Sequence, residues 1–350
     1  MSEIVFAIPG EIDLPTGGYG YDRRLLQEWR GNGVAARHLP LPGSFPNPTP
    51  KDLDETGRLL LSQPSDHVLL IDGLAYGAFP ESIAADLAGR VVALVHHPLG
   101  FETGLETEHA RRLIARETAA LRHASAIIVT SPATKRLLVS GFGVSAGRIA
   151  VAEPGVDRAP RAAGGRPDEP LQLLAVGSLV PRKGYDILVE SLRPLQDVAW
   201  RLTIIGSADR APATTLALKA QIASSGLQDR ITLAGAVGEA ELAQAYDKAD
   251  IFVMPSLFEG YGMVLTEAMA RGLPILCTTG GAAAETVPDA AAIKVAPGDA
   301  GALTRALSEL LAESTGRKRL ADASWAAAET LPRWQDTATI VAETCRKVFA

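Results

Sequence analysis

Nine short runs of apolar residues, each hydrophobic on both faces, are the feature that most constrains the fold of this chain. A run that is apolar at every position is typical of a strand in a parallel sheet that helices cover on both sides. Helix-period stretches separate the runs, so strand and helix alternate and predict a doubly wound α/β fold. The predicted strands are residues 4–8, 67–71, 91–95, 126–130, 173–177, 201–206, 231–235, 251–255 and 274–278.

The alternation of strand and helix runs once to about residue 150 and begins again at about residue 171. Residues 154–170, PGVDRAPRAAGGRPDEP, lie between the two series, and their Pro, Gly and charge favour an interdomain linker. We therefore predict two Rossmann-like domains, 1–158 and 159–330, that face a central cleft. Pro332 interrupts the last helical pattern, so residues 331–350 are predicted to form a C-terminal helix that can pack back on the first domain.

Composition excludes several classes of protein. The formal net charge of −6 gives no reason to expect a nucleic-acid partner. Two cysteines, Cys277 and Cys345, are too few for a disulfide framework or a Cys-rich zinc site and indicate buried thiols. No apolar run reaches the roughly 18 residues of a membrane span, and the N-terminus lacks the basic segment of a signal peptide. We expect a cytoplasmic protein, with its oligomeric state left open.

Several arginines lie on one predicted helix, EHARRLIARETAALRH, residues 108–123. A basic helix of this kind leaves peripheral contact with anionic lipid open. A solvated helix face is the favoured interpretation.

The stretch FEGYGMVLTEAMARG, residues 258–272, directly follows a predicted strand. Glu259 is therefore expected at the carboxyl end of that strand, in the cleft. The two glycines after it permit close approach of a ligand, and a helix that begins near Met263 presents free N–H groups suited to a diphosphate. Glu267 lies within the first turns of that helix, within reach of a ribose. One glutamate alone would be interpreted as a solvated charge, but this framed pair favours a nucleotide site.

A second cluster, VGSLVPRKG, residues 176–184, follows the first predicted strand of the second domain. Arg182 and Lys183 place two adjacent cations there, before Gly184 and a helix. Cations at this position suit a phosphate leaving group. The alternative is an Arg-Lys pair that only solubilises a loop.

The first domain contributes two weaker signals. PTGGYGYDRRLL, residues 15–26, lies between a strand and a helix but lacks the full GxGxxG and P-loop patterns, so taken alone it indicates only a tight turn. Beside the other clusters, a glycine turn that faces a phosphate is the alternative interpretation. A predicted strand also runs directly into His96 and His97, and a histidine there can bond a sugar hydroxyl or orient the reacting centre. Which histidine points inward is left open. In the second domain, TTGGAAAETV, residues 278–287, is predicted to be another loop lining the ligand site.

These clusters, in this order, resemble the family 4 glycosyltransferases, which are retaining enzymes of the GT-B fold. The resemblance implies a metal-independent hexosyltransferase that moves a sugar from a UDP- or GDP-sugar to a hydroxyl of a glycan, lipid or small molecule. It implies no cofactor and a place in cell-surface glycan or glycolipid synthesis. The matching stretches are PGVD (154–157), VGSLVPRKG (176–184), ADIFVMPSLFEGYGMVLTEAMARGLPIL (249–276) and GGAAAETV (280–287).

The resemblance also implies residue roles. Glu259 matches the family glutamate that contacts the donor sugar, Glu267 the one that binds the ribose, and Lys183 the lysine on the diphosphate. His96 fits the active-site histidine, with His97 as the alternative, and Arg182 completes the predicted catalytic set. The predicted donor-binding residues are Gly17, Gly18, Ser178, Gly260, Tyr261, Gly262, Met263, Val264 and Glu267.

One position departs from the family pattern. Many members have an arginine that helps to hold the diphosphate where this chain has Ser178. Either Arg182 replaces that arginine from the other end of the loop, or the diphosphate is held more weakly.

Two other functions are considered beside transfer. A GT-B-fold nucleotide-sugar epimerase or hydrolase, or a sugar phosphorylase, keeps the nucleotide or phosphate site without needing a separate acceptor groove. A non-catalytic nucleotide-sugar-binding subunit is disfavoured because Glu259, Glu267 and Lys183 are all present. An NAD-dependent dehydrogenase is disfavoured because no complete GxGxxG followed by an acidic residue occurs.

Overall fold

The computed structural model describes residues 3–166 and 168–349. The chain forms two compact units, of which the first comprises Met1–Gly155 and Pro332–Ala350 and the second Val156–Leu331. Positions 1, 2, 167 and 350, which the predicted domain and linker ranges include, lie outside the described residues.

The first unit is built on six parallel strands in the order β2-β1-β3-β4-β5-β6. Because the order reverses between β1 and β3, the topological switch point of this sheet lies between those two strands. The strands are β1 Ile4–Pro9, β2 Ala36–Leu41, β3 Val68–Asp72, β4 Val91–Val95, β5 Ala126–Val129 and β6 Ile149–Val151. The helices are α1 Gly17–Gly31, α2 Pro50–Leu61, α3 Gly73–Tyr76, α4 Glu81–Asp86, α5 Thr107–His123 and α6 Pro132–Phe142, with 3-10 turns at Leu99–Phe101 and Ala146–Arg148.

The second unit is also built on six parallel strands, in the order β12-β11-β10-β7-β8-β9. Its switch point lies between β7 and β10. The strands are β7 Leu171–Val176, β8 Trp200–Ile205, β9 Ile231–Gly235, β10 Ile251–Met254, β11 Ile275–Thr278 and β12 Ala292–Val295. The helices are α7 Tyr185–Leu192, α8 Pro212–Ser224, α9 Glu239–Lys248, α10 Met263–Met269, α11 Ala283–Thr286, α12 Ala300–Ala312 and α13 Ser314–Ala328, with 3-10 turns at Pro181–Lys183, Arg193–Leu195 and Asp289–Ala291.

Both sheets carry an apolar core, as the doubly apolar runs predict. Strands β1, β3, β4 and β10 are buried at every position. The sheet of the second unit has one hydrophobic cluster that includes residues of α7 and α12 and another that includes residues of α10. The predicted doubly wound α/β fold is therefore confirmed.

Three strands, β2, β6 and β12, were not among the nine predicted from the sequence. Each lies at the edge of its sheet and is only partly buried. Strand β2 contains Pro40, which an edge strand tolerates because it needs fewer backbone donors. Polar side chains interrupt β2 and β12, and β6 is apolar but only three residues long, so none of them presents an apolar run as long as those on which the prediction depended.

The C-terminal helix α14, Trp334–Arg346, packs on the first unit and is followed by a 3-10 turn at Lys347–Phe349. Pro332 lies between α13 and α14, where the sequence predicted the break. The indole of Trp29 in α1 donates to the carbonyl of Ala338 at 2.9 Å. Thr337 donates to the carbonyl of Glu153 at 2.7 Å. The helix is thus tied to α1 and to the segment that follows β6.

The stretch predicted to be a linker is bound to the second unit over part of its length. The amide of Ala162 donates to the carbonyl of Arg271 at 2.9 Å, and that of Gly164 to the carbonyl of Asp247 at 2.9 Å. The carboxylate of Asp250 accepts from the amide of Gly165 at 3.0 Å. This irregular segment is therefore anchored along the surface of the second unit and is not a free tether.

Two compositional expectations can be compared with the structure. Cys277 and Cys345 are buried free thiols, as predicted. Over the described ranges, none of the helices combines the length and the apolar character that crossing a membrane requires.

Prediction: Gly155→Ala destabilises the first unit. A Cβ at this position would lie 2.2 Å from the backbone nitrogen of Trp334, so α14 would have to shift. We expect a loss of roughly 2–4 kcal/mol and a lower Tm in scanning calorimetry. Gly31→Ala is the matched control, because an added Cβ there meets no atom within 4 Å. Equal melting of the two variants would contradict close packing of α14 at Gly155.

Candidate functional site

Two loops meet at the switch point of the second sheet. The 3-10 turn Pro181–Lys183 follows β7, and residues 256–262 follow β10. The amide of Leu257 donates to the carbonyl of Arg182 at 2.7 Å. Gly184 has a φ of 64°, and a Cβ there would lie 2.4 Å from the carbonyl oxygen of Pro255. Only glycine permits this close approach of the two loops.

Glu259 forms ion pairs with both predicted cations, and we call Arg182, Lys183 and Glu259 the Glu259 cluster. The Nζ of Lys183 lies 2.7 Å from Oε1, and Nη1 of Arg182 lies 3.2 Å from Oε2. Arg182 also donates to the carbonyl of Phe258 at 2.7 Å. The three side chains are 18%, 12% and 8% exposed, in chain order. Two cations against one carboxylate leave one net positive charge in a buried place, which suits an anion.

The charge state of Glu259 follows from a competition. Burial alone would raise the pKa of its carboxyl, because a low dielectric disfavours the charged form. Attraction to Lys183 and then to Arg182 outweighs burial and lowers the pKa to about 2. Glu259 is therefore ionised at neutral pH and can only accept hydrogen bonds.

Gly177, at the end of β7, makes room for the lysine of the cluster. A Cβ there would lie 2.8 Å from Cε of Lys183 and 3.0 Å from the hydroxyl of Tyr185. Tyr185 donates to the carbonyl of Gly177 at 3.0 Å. Ser178, the position that departs from the family pattern, follows in the same loop, and its carbonyl accepts from the amide of Val180 at 2.9 Å.

The two glycines of TTGG support the Glu259 loop from behind. The amide of Glu259 donates to the carbonyl of Gly280 at 3.2 Å, and its own carbonyl accepts from Ala282 at 2.8 Å. An added Cβ would lie 2.3 Å from the carbonyl of Leu257 at Gly280 and 2.3 Å from that of Glu259 at Gly281. At these two glycines an added side chain would face protein backbone, and the lining of the ligand site by this stretch stays a prediction.

Hydroxyl groups from the same region fix the rest of the loop. Thr286 donates to the carbonyl of Tyr261 at 2.7 Å, and Thr278 donates to the carbonyl of Ser256. Gly262 has a φ of 93° and stands at the N-terminus of α10. The loop therefore enters α10 by a fixed path.

Glu267 lies in α10 and is bound by a residue that the sequence did not single out. The hydroxyl of Tyr246 donates to its Oε2 at 2.8 Å. Burial raises the pKa of Glu267, with that hydrogen bond and Arg271 opposing the shift. The predicted residues Gly260, Tyr261, Met263 and Val264 occupy the loop and the first turn of α10, whose leading amides have no acceptor within the helix.

The first unit brings His96 between two buried carboxylates. Nε2 of His96 lies 3.0 Å from Oδ1 of Asp22 and 3.4 Å from Oδ2 of Asp72. Asp72 ends β3 and its other oxygen accepts from the amide of Leu74 at 2.7 Å, while Asp22 comes from α1. The ring of Tyr21 meets that of His96 edge-on at 5.1 Å. All of these residues lie around the switch point between β1 and β3.

The predicted glycine turn is helical. Gly17 and Gly18 form the first turn of α1, because Thr16 caps the helix and its hydroxyl accepts from the amide of Tyr19 at 3.4 Å. A Cβ on Gly18 would lie 3.4 Å from Cδ2 of His96. The structure thus brings Gly18 and His96 together, whereas His97 lies 4.0 Å from Glu102 on the adjacent segment.

The charge states of His96, Asp22 and Asp72, which we call the His96 group, depend on one another because the three side chains lie in contact. Burial would lower the pKa of His96, but Asp22 and Asp72 outweigh it and raise the pKa to about 10. Burial raises the pKa of Asp22 to about 7, although His96 opposes the shift. The same three side chains offer ligand atoms within 4.8 Å of one another, so this is also the described group whose donors could hold a metal ion.

Sequence reasoning missed both carboxylates. Asp72 directly follows the apolar run HVLLI, so its place at a strand end was a usable signal. Asp22 lies inside a helical pattern, and nothing in the linear sequence distinguishes it from a solvated charge. Its contact with His96, which follows β4, joins residues far apart in the chain.

Sequence comparisons match both units of the chain. A family profile described as "Glycosyl transferases group 1" matches residues 170–313, and one described as "Glycosyl transferase 4-like domain" matches residues 10–155. The chain is 31% identical over 267 residues to the D-inositol 3-phosphate glycosyltransferase of Paenarthrobacter aurescens (strain TC1). That alignment covers 72% of this chain and 64% of the relative, so the chain spans less than two thirds of the relative's length.

Solved structures match nearly the whole chain. Sucrose-phosphate synthase from Thermosynechococcus elongatus has a TM-score of 0.83 at 20% identity and covers 99% of both chains. The Anabaena protein Alr3699/HepE, solved with UDP-glucose, has a TM-score of 0.76 at 17% identity and covers 98% of this chain and 99% of its own. Similarity at this level shows the fold, and it confirms the predicted GT-B class.

Prediction: His96 is an imidazolium at pH 7.5. The pKa of His96 is raised to about 10, so the protonated imidazole stabilises the folded state. This stabilisation is complete below the ordinary pKa of about 6.5 and is lost as the pH rises through 10. Imidazole ¹⁵N NMR should show the protonated pattern, and Asp72→Asn should lower the pKa. His38, whose pKa burial lowers, is the internal control and should be neutral. A neutral His96 at pH 7.5 would contradict this assignment.

Proposed function

Because the chain belongs to the group 1 glycosyltransferases, we propose that it transfers a sugar from a UDP- or GDP-sugar to a hydroxyl group of an acceptor. The observation that carries the proposal is the Glu259 cluster, which holds two partly buried cations against one buried carboxylate at the switch point of the second sheet. We further propose that the anomeric configuration is retained and that no metal or other cofactor takes part.

The electrostatics of the cluster fit departure of a nucleoside diphosphate. Breaking the sugar–phosphate bond leaves negative charge on the diphosphate and positive character on the anomeric carbon. Lys183 and Arg182 would stabilise the departing diphosphate through charge-assisted hydrogen bonds, which are strongest where water is excluded. Glu259, ionised and acceptor-only, would receive hydrogen bonds from hydroxyls of the donor sugar.

Retention without a covalent intermediate needs no protein nucleophile. The acceptor hydroxyl would attack from the face that the diphosphate leaves, and a phosphate oxygen would take its proton. Cys277, in β11, is buried and its pKa is raised to about 12 by that burial, so it offers no thiolate. The protein's part is to bind, orient and supply charge.

The remaining predicted residues take supporting roles in this proposal. Glu267 would bind the ribose, and the leading amides of α10 would contact the phosphates. In the first unit, Gly17 and Gly18 would approach a phosphate, and His96 would bind the sugar or orient the reacting centre. A charged imidazole, held by two carboxylates, would act there as a hydrogen-bond donor.

The acceptor is proposed to be a sugar, lipid or small molecule, and the setting to be cell-surface glycan or glycolipid synthesis. The solved relative that carries UDP-glucose supports a nucleotide-sugar donor. Two of the similar proteins have names that specify a phosphorylated substrate or product, D-inositol 3-phosphate and sucrose-phosphate.

Prediction: Lys183→Ala and Glu259→Gln each lower kcat/KM of transfer by about 100- to 1,000-fold. The first removes a charge on the leaving group, and the second leaves two cations without their carboxylate. Rates are measured with UDP- and GDP-sugars, an acceptor panel and EDTA, and the product's anomeric configuration is read by NMR.

Lys248→Ala, at the exposed end of α9, is the matched control and should keep the normal rate. Near-normal transfer in both site variants would rule out the assigned roles. Rapid turnover without an acceptor would instead indicate an epimerase or hydrolase.

Prediction: Arg182→Ala weakens nucleoside-diphosphate binding about tenfold in calorimetry, if Arg182 replaces the arginine missing at Ser178. Arg201→Ala is the control, because Arg201 lies near the amino end of β8, at the opposite edge of the same sheet. Unchanged affinity in Arg182→Ala would show that its role is confined to holding Glu259 and Phe258.

A further inference from the structure

A cavity of about 280 Å³ opens between α5 and the loop that follows β2 in the first unit. One wall is the Pro46-Asn47-Pro48 segment, which its two prolines stiffen. The other wall is one face of α5, because residues 109, 112, 113 and 116 are spaced i, i+3, i+4 and i+7. A volume of this order is near the lower end of small-molecule sites.

The cavity lies where the topology of the sheet places ligands. The loop wall follows β2, and α5 begins after the segment that follows β4. Both connections leave the carboxyl ends of parallel strands, and His96 lies at that same edge. In open α/β sheets this edge is the ligand-binding one.

The lining is basic. His109, Arg112 and Arg116 contribute ring and guanidinium N–H groups, and among the described residues that line the cavity there is no aspartate or glutamate. Asn47 adds a neutral side chain that can donate. Three nitrogen-bearing side chains on one helix face therefore offer donors to an anion.

Nearby carboxylates do not neutralise this face. Glu108 lies 4.0 Å from Arg112, but the two side chains are 69% and 65% exposed, so the pair is weak. Glu117 is buried, and its Oε2 accepts from the amide of Leu99 at 2.9 Å. Asp52 accepts from Ser44 and from Thr49, the N-cap of α2. The arginines of the cavity thus keep their charge available to a ligand.

We propose that this cavity binds the phosphate group of a small phosphorylated acceptor, so that the acceptor class is a sugar or polyol phosphate. The proposal rests on the function proposed above, since it assigns the second substrate of that reaction. The bidentate geometry of guanidinium suits a phosphate monoester, which carries more charge than a carboxylate. A phosphate held at the rim of the sheet would orient a hydroxyl of the same molecule for transfer.

The test compares glucose, fructose and myo-inositol with their monophosphates as acceptors, using UDP-glucose and GDP-mannose as donors. The chain of 350 residues is assayed as wild type, Arg112→Ala, Arg116→Ala and the double variant. We expect the wild type to prefer a phosphorylated acceptor by at least about 100-fold in kcat/KM, and each arginine to supply roughly tenfold of that preference. Arg111→Ala, an exposed arginine on the same helix outside the cavity, is the matched control and should change the preference less than twofold.

A binding measurement separates this inference from the proposed function. Titration with inorganic phosphate, followed by NMR of the arginine side chains, should shift Arg112 and Arg116 in the wild type. Calorimetry with UDP and GDP should give equal affinities in wild type and double variant. Transfer without phosphate preference, or preference unchanged in the double variant, would overturn the cavity assignment and leave the proposed function standing. Binding of phosphate without any binding of UDP or GDP would instead contradict the proposed function and leave the cavity assignment standing.

A lipid headgroup also carries a phosphate, so a further experiment distinguishes a lipid from a soluble sugar phosphate as the ligand. Sedimentation with phosphatidylglycerol vesicles should be equal in wild type and in the double variant. Vesicle binding that needs Arg112 and Arg116, with no response to soluble sugar phosphates, would overturn the assignment to a soluble acceptor.

Discussion

Parallel pairing is the constraint on which the rest of this structure depends. Every strand pair in both sheets is parallel, so consecutive strands must be joined by a crossover that returns to the starting edge. All loops that leave the carboxyl ends therefore collect at one edge of each sheet. Where the strand order reverses, neighbouring loops diverge to opposite faces and leave a crevice. The Glu259 cluster and the His96 group lie at these two switch points.

The two groups handle buried charge in opposite ways. Glu259 is outnumbered by cations, so its pKa is lowered to about 2 and it remains a carboxylate. Asp22 shares His96 with Asp72, so burial prevails and its pKa is raised to about 7. Pairing decides the sign of each shift, because both carboxyls are buried. The first group presents positive charge, whereas the second holds a histidine in its charged form.

Glycines fix the positions of the loops around the Glu259 cluster, because they let backbone segments approach closely. Gly184 lets the β7 loop touch the β10 loop, and Gly280 and Gly281 let the β11 loop support Glu259 from behind. A methyl group at any of these positions would meet a carbonyl oxygen within 2.5 Å. Loops that would otherwise be mobile are thereby held against one another, which is the preorganisation that electrostatic stabilisation needs.

The sequence by itself determined the α/β class and the ends of the central strands, because fully buried strands must be apolar at every position. It also brought forward Glu259, Lys183 and Arg182, since each lies in the loop that follows such a strand and a parallel sheet gathers these loops at one edge. Only the tertiary structure revealed the edge strands β2, β6 and β12, the pairing of Asp22 with His96, and the backing role of Gly280. Those features depend on packing between residues far apart in the chain, and partial exposure or a single long-range contact leaves no period in the sequence.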